Sequence, residues 1–161
     1  MTDANSESLQ RAIELSYRYL NDRERTVGEM RGHLARLGLG HEEIDGALQV
    51  LIGRGHLDDV RFARLFAQDK RELEDWGTDR ISRALSRRGL DREIVEDALR
   101  PISSESEFER AVDLLRRRFP VPPSDRRERD RALGVLARKG YDSELALEAL
   151  TAYARDADVP C

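Results

Sequence analysis

A six-residue block recurs three times at a fixed distance. Leu34-Ala35-Arg36-Leu37-Gly38-Leu39 returns as Leu85-Ser86-Arg87-Arg88-Gly89-Leu90 and again as Leu136-Ala137-Arg138-Lys139-Gly140-Tyr141, each 51 residues further on. The offset holds downstream, where Ala47-Leu48 aligns with Ala98-Leu99 and with Ala149-Leu150. Self-similarity at such a period marks a chain built from one repeated supersecondary unit. In each block the glycine suits a helix end in the left-handed conformation, where a side chain costs energy. The residue after it (Leu39, Leu90 or Tyr141) is placed to pack back onto that helix. Asp91 and Asp142 can then cap the next helix, with Gly40 in the same place in the first block.

The apolar spacing predicts helices and no strands. Leu9, Ala12, Ile13, Ser16 and Leu20 make one stripe at i, i+3, i+4 spacing, and period-2 alternation is nowhere sustained. Thr26-Val27-Gly28-Glu29 has the form of a capping box opening a second helix that runs to Gly38. A third helix carries Ile44, Ala47, Leu48, Leu51 and Ile52, and six more are expected over 59–74, 78–88, 92–99, 105–119, 125–139 and 143–154. All five prolines, at 101, 120, 122, 123 and 160, stand at or outside helix ends. The expectation is an all-α fold of three tandem three-helix repeats, over 9–57, 58–102 and 103–156. Modules this small are marginal alone and gain stability by stacking.

Composition excludes several classes. Charged residues make up 37% of 161, against about 25% in a typical soluble protein, and mean hydropathy is −0.66. No run approaches the ~20 apolar residues of a spanning helix, and the first residues have no signal-peptide pattern. Cys161 is the one cysteine and cannot pair internally, so a cytoplasmic protein is expected. Disorder is excluded because 39% of residues are hydrophobic and fall at helical spacing. Catalytic, cofactor and metal sites are not expected. His33, His41 and His56 match no metal-ligand spacing and read as solvated helix-end or loop residues. Gly38-Leu39-Gly40 and Gly53-Arg54-Gly55 lack the strand and the Lys-Ser/Thr of a phosphate loop. Asp58-Asp59 reads as the cap and acidic first turn of a helix.

A helix, a glycine turn and a second helix also describe a DNA-reading helix-turn-helix. That motif needs a small residue four positions before the glycine, and here Leu34, Leu85 and Leu136 hold that position. Groove-reading geometry is therefore not expected.

Three stretches resemble the RecX regulatory protein family. Gly55-His56-Leu57-Asp58-Asp59-Val60-Arg61-Phe62-Ala63 is similar to the family's Gly-Tyr-Leu-Asp-Asp-x-x-Phe-Ala block, with Gly55, Leu57, Asp58, Asp59, Phe62 and Ala63 as its structural signature. Gly77 to Leu85, followed by Arg87-Arg88-Gly89-Leu90, resembles the family's second-repeat helix, and Leu136 to Tyr141 its closing element. The resemblance spans residues 9–154. It implies an elongated, curved array of three modules, most plainly a monomer, that binds the RecA filament and modulates it, with inhibition as the expected sign. Its setting would be homologous recombination and the SOS response. His56 departs from the family's tyrosine, which weakens an aromatic contact between the first two repeats. The pI near 5.5 departs from its basic character, so RecA is a firmer expectation than DNA.

The net charge of −4 conceals a polarised chain, in which 26 of the 28 cations are arginine. Arg80, Arg83, Arg87 and Arg88 fall within nine residues that contain no acid, and the first three share a helical face. That run carries +4 and Arg110 to Lys139 carries +6, which together leave −14 on the remainder. The partner-binding candidates are Arg80, Arg83, Arg87, Arg88, Arg116, Arg117, Arg118, Arg127, Arg131, Arg138 and Lys139. Arginine's planar fork suits carboxylates and phosphates alike. The residues by themselves leave open a RecA modulator, a helical-repeat adaptor for another protein, and a DNA-binding protein using the same arginine faces. They also leave open solvated helix faces paired to Asp and Glu.

Overall fold

The computed structural model describes residues 2–158, so Pro160 and Cys161 lie outside it. Among the described residues there are nine helices and no strand: α1 (Thr2–Leu20), α2 (Val27–Arg36), α3 (His41–Gly53), α4 (Asp59–Glu74), α5 (Thr78–Arg87), α6 (Arg92–Leu99), α7 (Ser104–Arg118), α8 (Arg126–Lys139) and α9 (Ser143–Ala157). None is long and apolar enough to cross a membrane. The helices stand where the apolar spacing places them, apart from α1. It begins about two turns before Leu9, through Asp3, Ala4, Asn5, Ser6 and Glu7, all exposed. These residues carry no apolar stripe, so periodicity has nothing to register there.

The chain forms two compact units. One holds the chain up to Arg64 together with Leu85–Val95; the other holds Leu65–Ala84 together with the chain from Glu96 on. The division passes through α4, α5 and α6. In the first unit Ala12, Met30, Leu34, Ile44, Leu48 and Leu51 form a core where α1 and α2 meet α3. In the second, Leu114, Leu115, Leu136, Tyr141, Leu150 and Tyr153 do the same where α7 and α8 meet α9.

The repeated block folds alike all three times. Leu34, Leu85 and Leu136 are fully buried, and Gly38, Gly89 and Gly140 have φ of 85°, 80° and 95°. The next residue turns its amide back to the buried leucine: Leu39 N–H to Leu34 O (3.3 Å), Leu90 to Leu85 (3.4 Å) and Tyr141 to Leu136 (3.1 Å). This satisfies a helix-end carbonyl and brings the residue against the last turn. Asp142 caps α9 through the amides of Glu144 and Leu145, as its place in the block predicts. In the first block Glu43 reaches back to the Gly40 amide and does for α3 what no glycine side chain can.

The three glycines differ in surroundings. A Cβ on Gly38 would meet nothing within 4 Å, whereas one on Gly140 would collide with Cβ and backbone of Arg80. Both positions impose the left-handed penalty of about 1–2 kcal/mol on alanine. Gly140→Ala should cost a further 1–3 kcal/mol or so, as overpacking does. Urea denaturation of Gly38→Ala and Gly140→Ala measures the difference; equal losses would mean that the close approach at Gly140 contributes nothing.

Candidate partner-binding surface

The family signature and the arginine candidates converge on two joins, in each of which a glycine turn meets the first turn of an earlier helix. The join in the first unit is built on Thr26, which is fully buried. Its hydroxyl accepts the Glu29 amide (3.0 Å) and donates to the Arg88 carbonyl (2.6 Å). The Val27 amide donates to the Asp59 carboxylate at 2.9 Å. The α2 N-terminus therefore takes its second cap from the first residue of α4, 32 positions along the chain. A Cβ on Gly28 would lie 2.9 Å from the Gly89 carbonyl oxygen, so only a glycine admits this approach.

The capping box is consequently half made. Thr26 caps Glu29, but the Glu29 carboxylate turns away to Arg88, accepting from its Nε and Nη2. A guanidinium partner from the glycine turn offers the carboxylate two charge-assisted hydrogen bonds where the box offers one to a neutral amide. The Arg88 guanidinium also lies 4.4 Å from the Phe62 ring centroid. Phe62 is buried, and Ala63 and Leu57 are fully so. Gly55 takes φ 77° to close α3, and Asp58 caps α4 through the Arg61 amide at 3.0 Å. Asp59 exceeds the expected acidic first turn, since its carboxylate serves α2.

The join in the second unit repeats the plan at the 51-residue offset. Gly77, equivalent to Thr26, donates its amide to the Lys139 carbonyl at 2.8 Å, where Thr26 used its hydroxyl on Arg88. The Asp79 amide reaches the Gly140 carbonyl at 3.1 Å. Glu107, in the first turn of α7, takes both the amide and the hydroxyl of Thr78, as Asp59 takes the amide of Val27. Tyr141 donates its hydroxyl to the Asp75 carbonyl at 3.0 Å. Burial holds that phenol up at about 12, so it remains a donor. Trp76 is a packing residue: Phe66 meets it edge-on, and Lys70 and Arg80 lie over its ring.

These joins divide the arginine candidates. Arg88 pairs with Glu29, so a run free of acids in sequence is not free of them in space. Arg80 stacks on Trp76 and donates to the Arg138 carbonyl, and Lys139 donates to the Glu74 carbonyl. Arg117 makes two hydrogen bonds to Asp75, at 3.0 and 2.7 Å. That fork holds the Asp75 carboxyl below its usual range and Arg117 above its own, and it pins a residue with φ 58° between α4 and α5. Arg116 pairs with Asp156 and Asp113. Arg83, Arg87, Arg118, Arg127, Arg131 and Arg138 have exposed side chains. Arg83 donates to its own helix at Asp79, and Arg131 lies 5.9 Å from the Phe119 ring.

His33 corrects one expectation, being half-buried, while His56 is exposed as expected. His41 is exposed at the start of α3, but His33 stacks on Tyr19 at 3.8 Å with the rings 4° from parallel, and His56 meets Tyr17 edge-on at 5.3 Å. Both tyrosines lie on α1, which brings ring faces to positions that sequence spacing leaves isolated. Burial, then Arg36 and Arg25, lowers the pKa of His33. Among the described residues no group of His, Cys, Asp and Glu could hold a metal ion.

Asp59 is the signature residue that experiment can isolate. Burial raises its pKa, outweighing the Val27 hydrogen bond, and Asp91, Asp58 and Glu29 add to the rise. A carboxyl with a raised native pKa supports the fold below its unfolded value and opposes it as pH rises through the native one. Asp59→Asn keeps an acceptor for Val27 without the charge, so thermal unfolding should show it stabilised at pH 7 and level with wild type near pH 3. Asp59→Ala should lose about 1 kcal/mol, the cost of a missing cap. A destabilised Asp59→Asn at pH 7 would mean that the charge itself is needed.

Known proteins match this chain both in sequence and in fold. RecX domain models match residues 58–99 as the second three-helix domain and residues 105–150 as the third. The regulatory protein RecX of Mycobacterium avium (strain 104) is 32% identical over 146 residues, covering 89% of this chain and 84% of that protein. RecX of Deinococcus radiodurans is 31% identical over 138 residues, covering 86% of this chain and 66% of that one. The crystal structure of RecX from Lactobacillus salivarius matches the fold with a TM-score of 0.80 at 22% identity, over 93% of this chain and 99% of that chain. The matched domains begin at Asp58, which caps α4, and contain Asp59, Gly89, Glu107 and Gly140, through which the two joins are made: this chain belongs to the RecX family of regulatory proteins.

Proposed function

We propose that this protein binds the RecA filament and restrains its ATPase, recombination and repair activities, acting in the cytoplasm by binding and without catalysis. Its three repeats, over 9–57, 58–102 and 103–156, would share the contact. The observation that carries the reading is the division of the cations. Arg80, Arg88, Arg117 and Lys139 are consumed by intramolecular contacts. Arg83, Arg87, Arg118, Arg127, Arg131 and Arg138 present exposed guanidinium groups on a chain of net charge −4. Exposed arginine offers paired donors to carboxylates and phosphates, and a filament of protein on DNA supplies both.

A regulator of this kind needs no reaction of its own. It shifts the filament between states in proportion to its differential affinity for them. RecA assembled on single-stranded DNA should lose ATPase activity on sub-stoichiometric addition of the wild-type protein. Arg83→Glu/Arg87→Glu should weaken the effect roughly tenfold or more while leaving the circular dichroism spectrum unchanged. An ATPase unaltered by the wild-type protein at every ratio sinks the reading. Binding to naked DNA that falls steeply with salt, with no effect on RecA, would assign the arginines to phosphate contacts instead.

A further inference from the structure

Each join has a presenting half and a receiving half. The presenting half is a left-handed glycine turn whose carbonyls face outward, together with an acid from the first helix of the same repeat: Gly89 with Asp59, and Gly140 with Glu107. The receiving half is the first turn of the second helix in the preceding repeat, at Thr26–Glu29 or Gly77–Arg80. The first repeat carries the same turn, and among the described residues no helix start is seated on it.

Gly38 has the φ of the other two turn glycines and the same return bond behind it. The carbonyls of Leu37 and Gly38 accept no hydrogen bond from another described backbone amide. A Cβ on Gly38 would meet open space. Leu37 stands where Arg88 and Lys139 stand in the other blocks, so the repeat places a cation there twice and an apolar side chain, 47% exposed, once. In register Asp59 corresponds to Ser8, beside Glu7, in the exposed first turns of α1. The turn of a join is therefore present in the first repeat, with Ser8 standing where Asp59 stands in the second.

We propose that the Leu37–Gly38 turn docks the first turn of a helix on a partner protein, seated as Gly77–Arg80 is seated on Gly140. The proposal rests on the reading that the partner is the RecA filament, and it names the element of the partner that is grasped. The occupant is a helix whose opening residues include glycine, serine or threonine. Its free amides donate to the Leu37 and Gly38 carbonyls. Leu37 covers the apolar residue that follows. A second copy of this chain does not supply such an element from its third repeat. The α8 N-terminus is closed by its own Asp125 and Glu128, which cap Glu128 and Ser124. Arg126 and Arg127 occupy its first two positions, where the joins have Val27-Gly28 and Thr78-Asp79.

Two variants separate this contact from the fold. Gly38→Asn keeps a residue that tolerates the left-handed conformation, yet adds a side chain at the position where Gly140 admits none. Leu37→Glu places a charge on the exposed apolar contact. Binding to RecA filaments on single-stranded DNA is measured by anisotropy for wild type and both variants, alongside thermal unfolding. Both should bind roughly tenfold more weakly or worse, with Tm lowered by no more than about 4 °C. Wild-type affinity in both variants overturns the docking assignment and leaves the filament reading standing. A wild-type protein that does not bind the filament overturns both. A wild-type dimer in sedimentation, lost in both variants, would give the turn to a second copy and overturn the partner helix.

Discussion

Backbone carbonyls beside a left-handed glycine hold neighbouring parts of this fold together. A helix end leaves carbonyls without partners and a helix start leaves amides without partners. Here the two deficits are brought face to face: the carbonyls of Arg88, Lys139 and Gly140 take donors from Thr26, Gly77 and Asp79. Such bonds need the two backbones within about 3 Å of one another, which excludes side chains at the point of approach. Glycine is present at 28, 77 and 140 for that reason, and at 89 for its left-handed φ. Apolar burial surrounds each join, and the direction of approach is set by polar groups.

Charge is arranged around the same points. Asp59 and Glu107 bring carboxylate acceptors to the starts of α2 and α5, and at Asp59 burial outweighs what the helix start offers the charge. The Glu29–Arg88 pair in one join has no ionic counterpart in the other, because Arg80 and Lys139 hold the equivalent positions. There the cations are held by carbonyls and by the Trp76 ring. The same approach of turn to helix start thus accepts opposite side-chain solutions, with a threonine hydroxyl reaching the turn carbonyl in one join and backbone amides in the other.

Much of the fold is legible in the sequence because its determinants are local. A glycine after a helical stripe and an aspartate after that glycine act within a few residues, and Gly140 and Asp142 do what their positions imply. The site is less legible because its determinants are distant. Thr26 and Glu29 have the spacing of a capping box, but the competing partner of Glu29 lies 59 residues away. Arg88 looks unneutralised only while its neighbours are counted along the chain. Gly28 was the available signal: a glycine in the first turn of a helix, where no bend requires one, marks a close approach by another backbone. The start of α1 escaped because an exposed polar helix leaves no periodic trace.

The division of the chain into compact units has a consequence for how the protein is made. The first unit is not complete when its own three helices have emerged, since the α2 N-terminus waits for Asp59 and for the carbonyl of Arg88. By then Leu65–Ala84, which belongs to the other unit, is already in place along the chain. Segments that repeat as sequence are therefore not separable as folding steps. A nascent chain severed between repeats would expose amides whose partners had yet to be synthesised.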